Sequence, residues 1–361
     1  MKWRKKTIPS MKKRGKRYNF LSFILLKLIS LGILQLSKTS FFWFICSIGF
    51  FSNFVFCKST YEGRSYWDHS ELAKFWGMSW EWVKPNEKIQ LCSQWTSIIY
   101  EEHKRTLTLN GYQIAIGFPI FKRNNRLYLS ELDRKNTLLP ILAPHLISTP
   151  SKLYSIVLDP GHGGKDTGAP SVYGGTYEKN ITLKVAKILQ KKLQDFGYLV
   201  TLTRNDDRYL PLEKRSQIAN LKQADLFISI HANAAKNKTV KGVETFVFTP
   251  WKMPSSGRNL HKSDFIKQPG NINQSYNTLV GFYLQKELVK ASLSSDRGLK
   301  HARFAVLKDS KVPAALVELG FLSNASEAKK LSDLSYQYNL ANGLLKGILN
   351  YQKTLNRIRE R

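Results

Sequence analysis

Two apolar rhythms divide the chain. From about residue 150 onward, short apolar runs alternate with stretches whose apolar residues recur at helical spacing, the pattern of an α/β sheet. Candidate strands are Ser155–Leu158, Leu199–Thr203, Leu226–Ile230, Gly242–Phe248, Phe304–Leu307 and Ala314–Glu318. The helical period is clearest over Asn180–Phe196, where Ile181, Val185, Ile188, Leu189 and Leu193 share a face and Gly197 supplies the residue past the C-cap. Further helices are expected over Leu212–Gln223, Thr278–Ala291 and Tyr336–Tyr351, leaving 353–361 as a basic tail.

Between about 60 and 148 the rhythm is that of a small α+β module. SELAKFWGMSWEWV reads as a short helix running into a strand, and TLTLNGYQIAI and RLYLSELD read as half-buried strands around the turn residues Asn110, Gly111, Asn124 and Asn125. No His or acidic cluster is read in it, and the alternation of β-branched and aromatic residues, the pattern of a half-buried sheet, favours a structural or binding role over chemistry. Pro140, Pro144 and Pro150 mark the boundary to the next domain, taken as 150–352.

The first 59 residues differ again. A dense basic block, MKWRKKTIPSMKKRGKR, precedes two apolar runs, NFLSFILLKLISLGILQL and FFWFICSIGFFSNFVF. Positive residues before an apolar run are the mark of an export signal and keep the N-terminus cytoplasmic, so the remainder is expected outside, across the membrane. Cys57 and Ser59 around Lys58 suit a small-x-small cleavage site, while the length of the segment suits a retained membrane anchor; both remain open.

Composition narrows the picture further. Apolar residues make up 42% and charged residues 23% of the 361, enough for a folded core. Lys and Arg number 56 against 26 acidic residues, a formal charge of +30 that draws the protein to anionic surfaces such as the envelope. The basic residues are spread along the chain beyond the N-terminal block, with no helix-turn-helix, finger or RNA-recognition signature, and nucleic acid is not expected as a partner. Three cysteines and no CxxC pair exclude a disulfide framework.

Four polar residues stand at or just past strand ends or at a helix start, where an α/β fold gathers its site. His162 follows IVLDPGHGG, His231 closes LFISIHAN, Glu178 opens the helix in YEKNITL, and Glu318 ends the apolar strand AALVE. Two imidazoles and a carboxylate from separate segments suit a three-ligand zinc site with one position left for water, and a fourth carboxylate is then free as a base. Taken singly, each has a plainer reading: a histidine in a loop, a glutamate against a helix dipole, GHGG as a turn or anion nest. Glu318 is the most telling, since a carboxylate closing an apolar strand needs a partner or a job.

Longer segments add weight. IVLDPGHGGKDTGA, YEKNITLKVAKILQKKL, VTLTRNDDRYLPLEKRSQIANLKQADLFISIHANA and RGLKHARFAVLKDSKVPAALVELGFLSN, followed by a final helix, resemble the zinc-dependent N-acetylmuramoyl-L-alanine amidases in the same order, over nearly all of 150–352. That resemblance implies a mixed, mostly parallel sheet of about six strands with helices on both faces. It also implies one catalytic Zn2+ held by His162, Glu178 and His231, with Glu318 catalytic, and hydrolysis of the amide joining N-acetylmuramic acid to L-alanine in peptidoglycan, during wall turnover and daughter-cell separation. Arg204, Arg215 and Asn233 lie in the matching stretches as residues that order the site or contact substrate. Larger family members carry an inhibitory helix released by a division-associated activator; the corresponding 251–277 here contains no Glu and is expected to be a flexible flap, with His261 and Asp264 as residues that could still reach the metal. More weakly, 60–148 resembles the N-terminal domain of copper amine oxidases.

Two other classes fit the residues. The same metal, water and glutamate would serve a zinc peptidase or carboxypeptidase acting on the stem peptide, and a wall-binding scaffold that kept the fold would need none of the four.

Overall fold

Local rules account for the module that follows residue 58. β1 (Ser59–Tyr61), β2 (Arg64–Asp68), β8 (Phe121–Arg123) and β9 (Arg126–Ser130) form an antiparallel sheet in the order β1-β2-β9-β8. β3 (Ser79–Lys84), β4 (Lys88–Cys92), β5 (Ser97–Glu101), β6 (Thr106–Leu109) and β7 (Tyr112–Ala115) form a meander in which alternate residues of β4 and β5 are buried. The module's tight turns fall at the expected residues: Asn110 and Gly111, between β6 and β7, have φ of 49° and 85°, and Asn124 and Asn125, between β8 and β9, of 50° and 54°, the left-handed pair a two-residue hairpin needs. The helix α1 (His69–Trp76) starts on Asp68, whose carboxylate accepts from Ser70 N and Glu71 N at 2.8 and 3.0 Å while Glu71 returns the bond, a capping box.

The computed structural model describes residues 59–149 and 151–360. The export or membrane segment expected over 1–59 therefore lies, apart from Ser59, outside the described residues. Among the described residues no helix is long and apolar enough to cross a membrane.

Six further strands form the C-terminal part: β10 (Ser155–Pro160), β11 (Leu199–Leu202), β12 (Leu226–Asn233), β13 (Val243–Phe248), β14 (Asp296–Ala302) and β15 (Ala314–Phe321). The order β11-β10-β12-β15 is all parallel; β13 then runs antiparallel to β15, and β14 parallel to β13, so the sheet is mixed. The central strands read as continuous apolar runs because both their faces are covered. Along one face lie α2 (Glu178–Asp195), α4 (Gln274–Ser292) and α7 (Leu334–Arg359), and against the other α3 (Leu212–Leu221) and α5 (Ala305–Lys308) close a core of Val157, Phe227, Phe248 and Leu316. A short α6 (Ala325–Ser332) precedes α7. The large sheet does not stop at β14: Leu299 pairs with Ile114 of β7, which carries the meander on to an eleven-stranded sheet.

Three expectations change. Phe304–Leu307, expected as a strand, is the entrance to α5, with Phe304 as its N-cap. The sixth strand is instead β14, whose sequence DRGLKHA has too many charges to read as one. Of the basic tail expected over 353–361, the residues through Arg359 are the last turns of α7, where Thr354, Leu355 and Ile358 are buried.

Helix α7 approaches α4 closely because Gly343 and Gly347 face it. A Cβ on Gly343 would lie 2.7 Å from the Ala291 Cβ, and one on Gly347 3.0 Å from the Leu284 Cα. Gly343→Leu should therefore overpack this seam and lower the unfolding free energy by about 1–3 kcal/mol. Urea denaturation tests this, and unchanged stability would mean that the two helices re-space at no cost.

Candidate metal centre

Glycines bring two histidines and a glutamate together. Past the end of β10 the chain turns at Gly161, where a Cβ would sit 2.4 Å from the His231 ring, so only glycine lets β10 and β12 deliver both imidazoles to one place. His162 itself holds φ of 61°, a conformation uncommon for a side-chain-bearing residue and typical of sites where backbone strain serves function. Glu178 begins α2, and its carboxylate is fixed by backbone N–H groups: Ala169 N donates to Oε2 at 2.9 Å and Ala232 N to Oε1 at 3.0 Å. Gly168, with φ of 65°, leaves the space that this carboxylate fills.

The donor atoms then converge. His162 Nε2 lies 3.0 Å and His231 Nδ1 2.9 Å from the same Glu178 Oε1, and the two rings meet edge-on with centroids 5.0 Å apart. One ligand atom from each of the three residues lies within 4.8 Å of the others, the span of a metal's coordination shell. His162 Nδ1 faces Asp166 Oδ1 at 2.9 Å, a partner for the ring proton whenever Nε2 gives its lone pair to a metal. Two nitrogens and a carboxylate oxygen suit a borderline divalent ion.

Glu318 stands beside this group. On β15 it is in register with His231 of β12 on one side and Glu244 of β13 on the other, so the three side chains share a face. It is 9% exposed, and its Oε2 is buried without a hydrogen-bond partner. Burial, with Glu178 and Glu244 adding negative charge, pushes its carboxyl well above the usual range, against the pull of Lys300. Glu178 goes the other way: burial opposes its charge, but hydrogen bonds from His162 and His231 outweigh that and hold it well below the usual range. The proton affinities of two carboxylates on one site are thus driven apart, the division expected between a metal ligand and a proton carrier.

The family pattern of N-acetylmuramoyl-L-alanine amidases matches residues 156–350. The chain belongs to that family. Among relatives, it is 34% identical over 197 residues to the uncharacterized protein YqiI of Bacillus subtilis (strain 168), covering 55% of this chain and 84% of YqiI. It is 35% identical to the N-acetylmuramoyl-L-alanine amidase LytC of the same strain, covering 55% of this chain but 36% of LytC. Against the amidase AmiC of Escherichia coli O6:H1 the identity is 32%, over 54% of this chain and 52% of AmiC. A solved structure, the catalytic domain of the amidase CwlV from Bacillus (Paenibacillus) polymyxa var. colistinus, has 30% identity and a TM-score of 0.48 over 56% of this chain and 99% of that one.

The remaining sequence candidates of this amidase take distinct places. Arg204 and Arg215, 0% and 1% exposed, have no route to substrate. Arg204 donates to the carbonyls of Pro160, Gly161 and Lys179 at 2.7–3.0 Å, and Arg215 to those of Pro160 and His162 and to Asp159 Oδ1, each at 2.9 Å. Both order the His162 loop. Asn233 is half-buried and donates to Glu244 Oε1 at 2.9 Å, at the rim of the site. The stretch expected to be a loose flap is folded around Asp264, which is fully buried and held by Arg258 and by Arg303 at 2.8 Å. Asp264 is thereby committed away from the His–Glu–His group, and His261 caps the same turn through its ring and its N–H.

Glu244, Asp159 and Asp166 escaped the sequence reading. Glu244 carried the same signal as Glu318, a carboxylate within an apolar strand, and Asp166 lies one helical-turn spacing from His162. Because Glu318's carboxyl is raised by folding, the stability tied to its proton is present below about pH 4.5 and is lost as pH rises towards the folded value. In chelator-treated protein, Glu318→Gln should gain stability relative to the parent chain between pH 5 and pH 8. Urea denaturation at the two pH values checks it, and a constant difference would show that Glu318 titrates normally.

Proposed function

We propose that this chain is a zinc-dependent peptidoglycan hydrolase that cleaves the amide between the lactyl group of N-acetylmuramic acid and the L-alanine of the stem peptide. The observation that carries the reading is the approach of His162 Nε2 and His231 Nδ1, each within 3.0 Å of Glu178 Oε1, beside the unpartnered Oε2 of Glu318. Bound there, zinc would supply a Lewis acid that lowers the pKa of a water and polarises the scissile carbonyl.

The chain's own residues do the rest. Asp166 offers a partner for the His162 ring proton on Nδ1, and the backbone N–H groups of Ala169 and Ala232 fix the Glu178 carboxylate, so the three donors are oriented in advance. Glu318 takes a proton from the attacking water as its oxygen bonds to the lactyl carbonyl carbon. It then returns that proton to the L-alanine nitrogen as the C–N bond breaks, leaving a lactyl carboxyl and a free stem peptide. A carboxyl whose pKa is lifted by burial is suited to hold the proton between the two transfers.

The basic N-terminal block and apolar runs support export across the inner membrane, to where peptidoglycan lies, in the periplasm or envelope, with the segment cleaved or kept as an anchor. Wall turnover and daughter-cell separation are the settings for such a cut, with a division-associated activator as the expected protein partner. Digestion of purified peptidoglycan by the full chain, with and without chelator, tests the activity by product mass. Chelator-sensitive release of stem peptides beginning with L-alanine is expected; shortened peptides still joined to sugar would make the enzyme a peptidase. Glu318→Gln should lower kcat about 10²- to 10⁴-fold with metal content unchanged. Full turnover in that variant would remove Glu318 from the proton transfer.

A further inference from the structure

Beyond Glu318 the same sheet face carries a pair of cations that the reaction above does not use. Strand β14 holds one residue more than β13 between matched pairs: Val243 pairs with Asp296, but Thr245 with Leu299. The extra residue forms a bulge at Gly298, whose φ is 88° and where a Cβ would meet the Gln113 carbonyl oxygen at 2.8 Å. In a regular strand Arg297 and Lys300, three apart, would point to opposite faces; the bulge turns both to the face of Glu244. Arg297 Nε donates to Glu244 Oε2 at 2.8 Å and Lys300 Nζ to the same oxygen at 2.5 Å.

One carboxylate thus serves two cations and leaves one positive charge over. Glu244 is buried, whereas the Arg297 and Lys300 side chains are 33% and 23% exposed. The Arg297 guanidinium lies 4.9 Å from the Phe321 ring centroid, and its terminal nitrogens have no protein acceptor among the described residues. A buried carboxylate that pins two half-exposed cations builds a preorganised anion site, since neither side chain must be ordered when an anion arrives.

Resting on the amidase reading, we propose that Arg297 and Lys300 bind the free α-carboxylate of the second stem residue. That residue is a γ-linked glutamate, so its α-carboxyl is not used in the peptide chain. Its α-carbon follows that of L-alanine by about 3.8 Å, which places the carboxylate roughly 5–7 Å past the leaving nitrogen. Strand β14 lies two strand spacings from Glu318, about 10 Å, and long Arg and Lys side chains cover the difference. The contact selects stems whose second residue is a free acid over stems in which that carboxyl is amidated.

The test uses the full metal-loaded chain on muropeptides that differ only in whether this α-carboxyl is free or amidated, with kcat/KM for each. The parent chain should prefer the free acid by about 10-fold, the size of one half-exposed charged hydrogen bond. Arg297→Gln and Lys300→Met should bring that ratio close to one, and Lys300→Arg should keep it. Cleavage of both substrates with no preference in the parent chain overturns the proposal and leaves the amidase reading standing, whereas cleavage of neither overturns the amidase reading itself. Variants that slow both substrates equally would show that the pair acts through Glu318 and not on the stem. A preference that follows amidation of a more distal stem carboxyl would equally overturn the assignment to the second residue.

Discussion

Asp159 holds the site in place. Its buried carboxylate accepts from Thr203 Oγ1 at 2.6 Å and Arg215 at 2.9 Å on one oxygen, and from Ser229 Oγ at 2.7 Å on the other. One side chain thereby ties the end of β10 to the residue after β11, to α3 and to the middle of β12. Arg215 carries the link onward to the carbonyl of His162. Losing one partner of a fully buried ion pair costs about 3–5 kcal/mol, far more than a surface pair, because the other charge is left without water. The strained backbone at His162 persists because Arg204 and Arg215 between them occupy three consecutive carbonyls of its loop, those of Pro160, Gly161 and His162. The candidate metal ligands are positioned by this polar network beneath them as much as by the apolar core.

Much of this was legible in the chain itself. His231 closes an apolar run, His162 follows one through a glycine turn and Glu318 interrupts one that continues to Phe321, and a polar group in such a place is conspicuous because burial without a purpose would be costly. The parallel strands β10, β12 and β15 were legible for the same reason, being buried on both faces. Strand β14 was not, because its charges are neutralised across the sheet by Glu244, a partner 53 residues from Arg297, and no local pattern records a pairing of that range. The expected strand at Phe304–Leu307 failed for a related reason: four apolar residues satisfy either period, and the turn after β14 decided for a helix. The fold around Asp264 was hidden too, since Pro, Gly, Ser and Asn read as a loose loop unless the buried carboxylate that gathers Arg258 and Arg303 is seen.

The join between module and amidase domain follows the same logic. A Pro-rich stretch marked a boundary, yet β7 of the module extends the amidase sheet at β14, and Asp296 accepts from the backbone N of Gln113 at 2.7 Å. An edge strand with open N–H and C=O groups is a liability, and the module covers it. The meander therefore shields the edge on which the Arg297 and Lys300 bulge sits, and the close approach of Gly298 to Gln113 couples the shape of that bulge to the presence of the module.

Spatial order on the sheet matches chemical order in the proposed reaction. From β12 through β15 and β13 to β14, the residues on one face are His231, Glu318, Glu244, then Arg297 and Lys300. The sequence of tasks is ligand, proton carrier, and a carboxylate that organises cations. Neighbouring strands are about 4.8 Å apart, so each task is displaced from the next by little more than one bond-to-bond step along a peptide. Charge varies along this line as well: Glu178 against the imidazoles, then a carboxyl whose proton affinity burial and the neighbouring carboxylates raise, then a carboxylate held by two cations. Glu244 carries its own cations, whereas Glu318 has none in contact among the described residues, so the negative charge of one is offset locally while burial raises the proton affinity of the other.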